Sequence, residues 1–532
     1  MRDGNGFLAA VQAQAAAHPE RECWRNTSGR SITYGELWDA SDELACLIRE
    51  RCADEEQGSE AAGAPLLVYG HKSPLMPVSF LACLKAGHAY VPCDVHVPDG
   101  RVVSILSQLP DAPLLAVGEL PDLTGLDRGL RPIRGNEIAG CLERVRAGES
   151  PRRPDPAWEV SGDETQYIIF TSGSTGAPKG VEVTADDVAN FMPWDQGLFE
   201  DAADPHVFLN QALLSFDLSV TELVGALSTG GRVVALTADV CEDARELFST
   251  LASSGVTCWV STPTFASVCL AEPSFGRELM PSLTHFFFCG EPLRPDVVRQ
   301  LAARFPEATI INAYGPTEST VAVTAMPVSA PDDASTLPVG VARPGTTLLV
   351  LDRETGEPLP RGEVGEVGEV LICGDTVAKG YLNRPDKTAA AFGEREVDGT
   401  RVRTYRTGDL GRVDEDGVLW VSGRIDDQVK VHGFRIELGE VECAIQDEPD
   451  VELVSVIVRT RHGVPDRLEA HVELACEPPA DHYAWGKAMR ERLSHRLPNY
   501  MVPRRIVVED SIPQTPNGKV DRRAIMRAAG EL

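Results

Sequence analysis

Tyr167-Ile168-Ile169-Phe170-Thr171-Ser172-Gly173-Ser174-Thr175-Gly176-Ala177-Pro178-Lys179-Gly180 runs from an apolar strand straight into a loop of hydroxyls and glycines. Small residues let such a loop wrap an anion closely with backbone N–H groups, and Lys179 adds positive charge. The stretch therefore reads as a phosphate-binding loop. It is not of the G-x-x-x-x-G-K-[ST] type, because Pro178 precedes the lysine and Gly180 follows it. On both sides of the loop, apolar β-rich runs alternate with helical patterns: 64–69 before 74–86, and 257–261 before 263–270. Buried strands in α/β units read this way, so the first 320 or so residues are expected to be layered α/β.

From about 330 to 425 the texture changes to short strands broken by Gly-rich turns, as at 362–374 and 413–423, which predicts a β-subdomain. A charged stretch, GRIDDQVKVHGFRIELGEVE from Gly423, then leads into a helix at 438–447, strands at 451–459 and 468–474, and a helix at 484–497. The expected organisation is a large N-terminal domain over 1–423, a hinge at 424–427 and a small α+β domain over 428–532. A chain of 532 residues must divide in some such way, since single cores stop growing near roughly 250–300 residues.

A formal net charge of −30 argues against nucleic acid as a partner, because phosphate-backbone binders carry a basic field. The polar, Ala-rich start and the lack of an apolar run of about 18 residues predict a cytoplasmic chain with no membrane partner. The 13 cysteines are scattered without a C-x-x-C pair, as expected of reduced, space-filling thiols.

The loop 171–180 resembles the signature of the adenylate-forming superfamily, which contains acyl-CoA ligases, luciferases and nonribosomal peptide synthetase adenylation domains. Further stretches resemble that family in its order: Tyr34-Gly35-Glu36-Leu37, Leu84-Lys85-Ala86-Gly87, Asn312-Ala313-Tyr314-Gly315-Pro316-Thr317-Glu318, Tyr405-Arg406-Thr407-Gly408-Asp409-Leu410, Gly423-Arg424-Ile425-Asp426-Asp427-Gln428-Val429-Lys430 and Asn517-Gly518-Lys519-Val520-Asp521-Arg522. The resemblance implies ATP and Mg²⁺. ATP would lie against Thr171–Gly176, Lys179, Asn312, Ala313, Tyr314, Gly315, Thr317, Asp409, Arg424 and Lys519. Within this set it implies that Asp409 takes the ribose hydroxyls, Tyr314 the adenine face and Arg424 the ribose or phosphates; beside it, Glu318 would take the Mg²⁺. Thr175, Lys179 and Lys519 would be catalytic, with the Lys519 ammonium stabilising charge as a carboxylate attacks the α-phosphate. Asp426 would be the hinge about which the small domain turns between adenylate formation and thiol transfer.

Ser215-Phe216-Asp217-Leu218-Ser219-Val220 resembles the family's amino-acid-recognising pattern, in which the aspartate pairs with the substrate ammonium. A buried carboxylate is useful only where an opposite charge meets it, which favours an amino acid over a plain acid. With His285–Leu293 and Tyr314–Thr324, this stretch looks closest to D-alanine:carrier-protein ligases and antibiotic-pathway relatives. The pocket positions so implied are Asp217, Leu218, Thr221, Phe287, Cys289, Ala313, Gly315, Val321 and Ala322, small or apolar apart from Asp217 and Thr221. A small aliphatic amino acid, alanine first, is expected to be activated as aminoacyl-AMP. Its acceptor would be the phosphopantetheine thiol of a separate carrier protein, since little chain follows Lys519. An acyl-CoA ligase on the same scaffold is the alternative.

Overall fold

The computed structural model describes residues 4–53, 63–126, 129, 131–173, 177–200, 205–329, 336–360, 366–461, 464–475, 481–514 and 520–531. Two large sheets carry the first domain. In one, seven strands lie in the order Gly380–Tyr381, Lys179–Thr184, Thr165–Thr171, Tyr90–Cys93, Leu66–Tyr69, Leu114–Ala116 and Pro132–Arg134. The last five of these run parallel and the first two add an antiparallel edge. Among the described residues the other sheet has fourteen strands. Its parallel centre is Glu22–Asn26, Arg232–Ala235, Val207–Asn210, Cys258–Ser261, His285–Phe288 and Thr309–Tyr314.

Every residue of Leu66–Tyr69, Cys258–Ser261 and His285–Phe288 is buried, as expected of strands covered by helices on both faces. The antiparallel part expected beyond residue 330 is present. It is not set apart but hydrogen-bonds onto the parallel centre through Thr324–Pro327, Gly340–Ala342 and Val418–Arg424. Alternating burial along Thr400–Val413 marks this part as a sheet with one face wet. Two of the quoted motifs tie the frame together. The Tyr34 hydroxyl donates to the carbonyls of Ala226 and Gly231, and Lys85 Nζ donates to Asp42 Oδ1 at 2.6 Å in the core.

The C-terminal part contains a two-stranded hairpin, Gln428–Val431 with Phe434–Glu437, and a three-stranded sheet, Val451–Arg461, Val464–Leu474 and Arg505–Val508. Helices Leu438–Gln446 and His482–Ser494 pack with them around a core of their own. Among the described residues no helix is long and apolar enough to cross a membrane.

Candidate active site

In parallel sheets ligands gather outside the carboxyl ends of the strands. Cys289 follows His285–Phe288 directly, Asn312 and Tyr314 close Thr309–Tyr314, and the segment after Val207–Asn210 leads to Asp217. The loop after Thr171 belongs to an antiparallel hairpin, with Thr171 paired to Lys179, whereas a P-loop runs from strand into helix. A Cβ on Gly173 would stand 2.1 Å from the Ala177 carbonyl oxygen, so only glycine fits there. Ser174, Thr175, Gly176 and Lys519 lie outside the described residues.

These elements surround a cavity of about 80 Å³. Asp217 sits on its wall at the start of helix Leu218–Thr229, and its Oδ2 accepts from the Thr317 hydroxyl at 2.6 Å. Burial pushes this carboxyl up, while Thr317 and Lys430 pull it down. Leu218, Cys289, Gly315 and Val321 line the same cavity. Thr221, Phe287, Ala313 and Ala322 do not; all are buried behind the wall, and Phe287 packs 6.1 Å from the Phe199 ring.

On the other side of the cavity, Asp409 pairs in the sheet with Arg424, which donates to its Oδ1, and the Tyr314 hydroxyl donates to its Oδ2. Tyr314 is therefore anchored by its hydroxyl, and its ring is not among the cavity-lining groups. Asn312 is turned away, its side-chain amide donating to the Pro338 carbonyl. Arg424 also grips Asp426, Nε to Oδ1 at 2.7 Å.

Glu318 occupies a short 3-10 turn, Thr317–Ser319, after which Thr320 and Val321 take φ of 59° and 66°. β-Branched residues avoid that region, so the turn holds strain of the kind that collects at functional sites. Both carboxylate oxygens accept from Arg435, at 3.0 and 2.8 Å, and Oε1 also accepts from the Tyr381 hydroxyl at 2.7 Å. Burial alone would raise this carboxyl, but Arg435 and Lys179 outweigh it and hold it at about 2. A permanently ionised, acceptor-only oxygen pair suits a small hard cation such as Mg²⁺ wherever Arg435 is withdrawn.

Arg435 reaches this point because the hairpin of the C-terminal part leans over the cavity. Lys430, Gly433, Arg435 and Tyr500 line it, Gly433 N–H donates to Glu291, and Phe434 stacks on Tyr500 at 3.9 Å with Phe216 beyond. A Cβ on Gly433 would meet Thr262 Cγ2 at 2.4 Å, so glycine is what permits the approach. None of these four was singled out from the sequence as a site residue. The signal was there in the Lys430–Arg435 stretch, but its charges read equally well as a solvated linker.

The AMP-binding enzyme family matches residues 11–382. The D-alanine--D-alanyl carrier protein ligase of Bacillus licheniformis is 40% identical over 524 residues, 98% of each chain. Among solved structures, an NRPS protein containing adenylation and PCP domains superposes with a TM-score of 0.78 at 27% identity, over 99% of this chain and 84% of that one. The Vibrio cholerae adenylation domain AlmE, in complex with glycyl-adenosine-5'-phosphate, shares the fold with a TM-score of 0.79 at 23% identity, over 100% of this chain and 99% of that one. With the family matched across residues 11–382 and a 40% identical relative spanning 98% of the chain, this protein belongs to the AMP-binding enzyme family.

Proposed function

We propose that this enzyme activates a small amino acid, alanine first, as aminoacyl-AMP, and then passes the aminoacyl group to the phosphopantetheine thiol of a separate carrier protein. The observation that carries the reading is Asp217, a half-buried carboxylate on the wall of a cavity of about 80 Å³, raised by its partial removal from water. An incoming α-ammonium would compensate its burial, whereas a plain acid would leave it unpaired. Leu218, Cys289 and Val321 leave little room beyond a small side chain. The name of the Bacillus licheniformis relative supports both the alanine and the carrier protein.

In the first half-reaction the substrate carboxylate attacks the α-phosphorus of ATP and the bond to pyrophosphate breaks. Ser172, Gly173 and Lys179 would hold the phosphates, Asp409 and Arg424 the ribose, and Lys519 the developing charge. Mg²⁺, held by Glu318, would neutralise phosphate oxygens when bound. The carrier thiolate then attacks the adenylate carbonyl and AMP leaves. The described orientation, with the 428–437 hairpin over the cavity, suits this second step, and residues 424–427 would be the hinge that alternates it with the first.

The test is amino-acid-dependent ATP–pyrophosphate exchange across D-alanine, L-alanine, glycine, serine, β-alanine and proline, followed by loading of a holo carrier protein against coenzyme A. Exchange strongest with an alanine, and loading of the carrier over coenzyme A, are expected. Exchange with none of the six amino acids would overturn the reading.

A further inference from the structure

The C-terminal part offers three charged side chains to the groups that should hold the phosphates and their cation, and each has the sign of what it would replace. Glu440 Oε2 accepts the Gly173 N–H of the phosphate loop at 3.0 Å, while its Oε1 is held by Arg101 of the large domain at 2.5 Å. Glu437 Oε1 lies 3.7 Å from Lys179 Nζ. Arg435 puts a guanidinium N–H on both oxygens of Glu318, and its backbone carbonyl accepts from the Ser172 hydroxyl at 2.9 Å. Carboxylates thus meet the loop's N–H and ammonium, and a cation meets the carboxylate suited to a metal. Glu318, Glu437 and Glu440 are all buried, so these are desolvated charge contacts, costly to hold unless matched and strong once they are.

We propose that Arg435, Glu437 and Glu440 act together as an internal stand-in for magnesium pyrophosphate, so that docking of the C-terminal part and occupancy of the loop by the leaving group exclude each other. The inference rests on the adenylation reading and adds which side chains of the C-terminal part take the leaving group's place. Pyrophosphate must leave before the hairpin can seat, and a seated hairpin keeps it from returning to reverse the reaction. Two ligands that need the same groups shift one equilibrium in opposite directions, and the strength of the competition is set by what each gains there.

The probe is inorganic pyrophosphate at fixed Mg²⁺, titrated into the full chain by calorimetry. Removing the competing charges in Glu437→Gln, Glu440→Gln and the double variant should tighten magnesium pyrophosphate binding, by roughly tenfold or more in the double variant. Equal affinity in wild type and variants would overturn the proposal. Because a variant can also fail to fold, wild-type protein labelled with one dye on each domain supplies a second measurement. Saturating magnesium pyrophosphate should change the inter-dye distance, and binding at an unchanged distance would overturn the proposal. Neither readout uses an amino acid, so failure here is distinct from failure of amino-acid-dependent exchange, which tests the activity itself.

Discussion

Cys289 shows what a single residue does at this site. Burial pushes its thiol up to about 11, with Lys430 pulling the other way, so it is neutral at physiological pH and fills space rather than attacking. Cys289→Ala should therefore keep adenylation of the preferred substrate while relaxing discrimination among D-alanine, L-alanine, glycine and serine by about 1–3 kcal/mol. Comparison of kcat/KM for the four substrates checks this, and an unchanged ranking would remove Cys289 from the selective wall. Lys519 makes the complementary case. Lys519→Ala should lower adenylate formation by roughly 10²–10³, the cost of losing one charge-stabilising group, yet spare transfer from a supplied adenylate. Equal loss of both steps in single-turnover assays would contradict that role. Asp217 and Cys289 were marked in the sequence through the resemblance of the stretches 215–220 and 285–293 to the family's pattern. Lys430 and Arg435 were not, because a charge in a polar stretch acquires a partner only when another element reaches it.

At the scale of an element, the helix Leu218–Thr229 begins with the residue after Asp217 and also buries Glu222, whose Oε1 accepts from the Asn210 amide at 3.2 Å. Burial pushes the Glu222 carboxyl up to about 8, against the pull of Asn210 and Lys72, and Asp195 is another fully buried acid close by. A folded value above the unfolded 4.5 means the native state keeps a proton that the unfolded chain has released. Stability should then fall as pH rises between about 4.5 and 8, by up to about 1.4 kcal/mol per pH unit for one proton. Glu222→Gln should flatten this slope and raise the thermal midpoint at pH 8 more than at pH 5; identical slopes in both proteins would refute it. Element existence was well marked in the sequence: the helix expected at 263–270 is found at Pro263–Leu270, and that expected at 438–447 at Leu438–Gln446. The strained turn at Thr320 and Val321 was not, because β-branched residues argue locally against positive φ and only the surrounding packing imposes it.

At the scale of the whole molecule, the proposed lever is the segment 424–427, where Asp426 is fastened to Arg424 and Arg424 to Asp409. Proline holds φ near roughly −65°, so Asp426→Pro should retain pyrophosphate exchange and lose carrier loading, the outcome expected where torsions must change between two steps. Unchanged loading would remove the hinge. By itself the sequence determined the α/β layers and the change to antiparallel strands beyond residue 330, and it proposed the anion loop, the acidic partner for an ammonium and the division near residue 424. Apolar periodicity, glycine placement and residue chemistry act over a few neighbours and survive in the bare chain. Only the tertiary structure decided that the antiparallel strands extend the large sheet, and that Thr221, Phe287, Ala313 and Ala322 stand behind the cavity wall. It alone decided that Arg435, Glu437 and Glu440 close over the loop. Those facts depend on strand edges and polar groups more than 100 residues apart along the chain, Arg435 from Glu318 and Glu440 from the Gly173 N–H. Their pairing energy exists only once two distant parts of the chain have met.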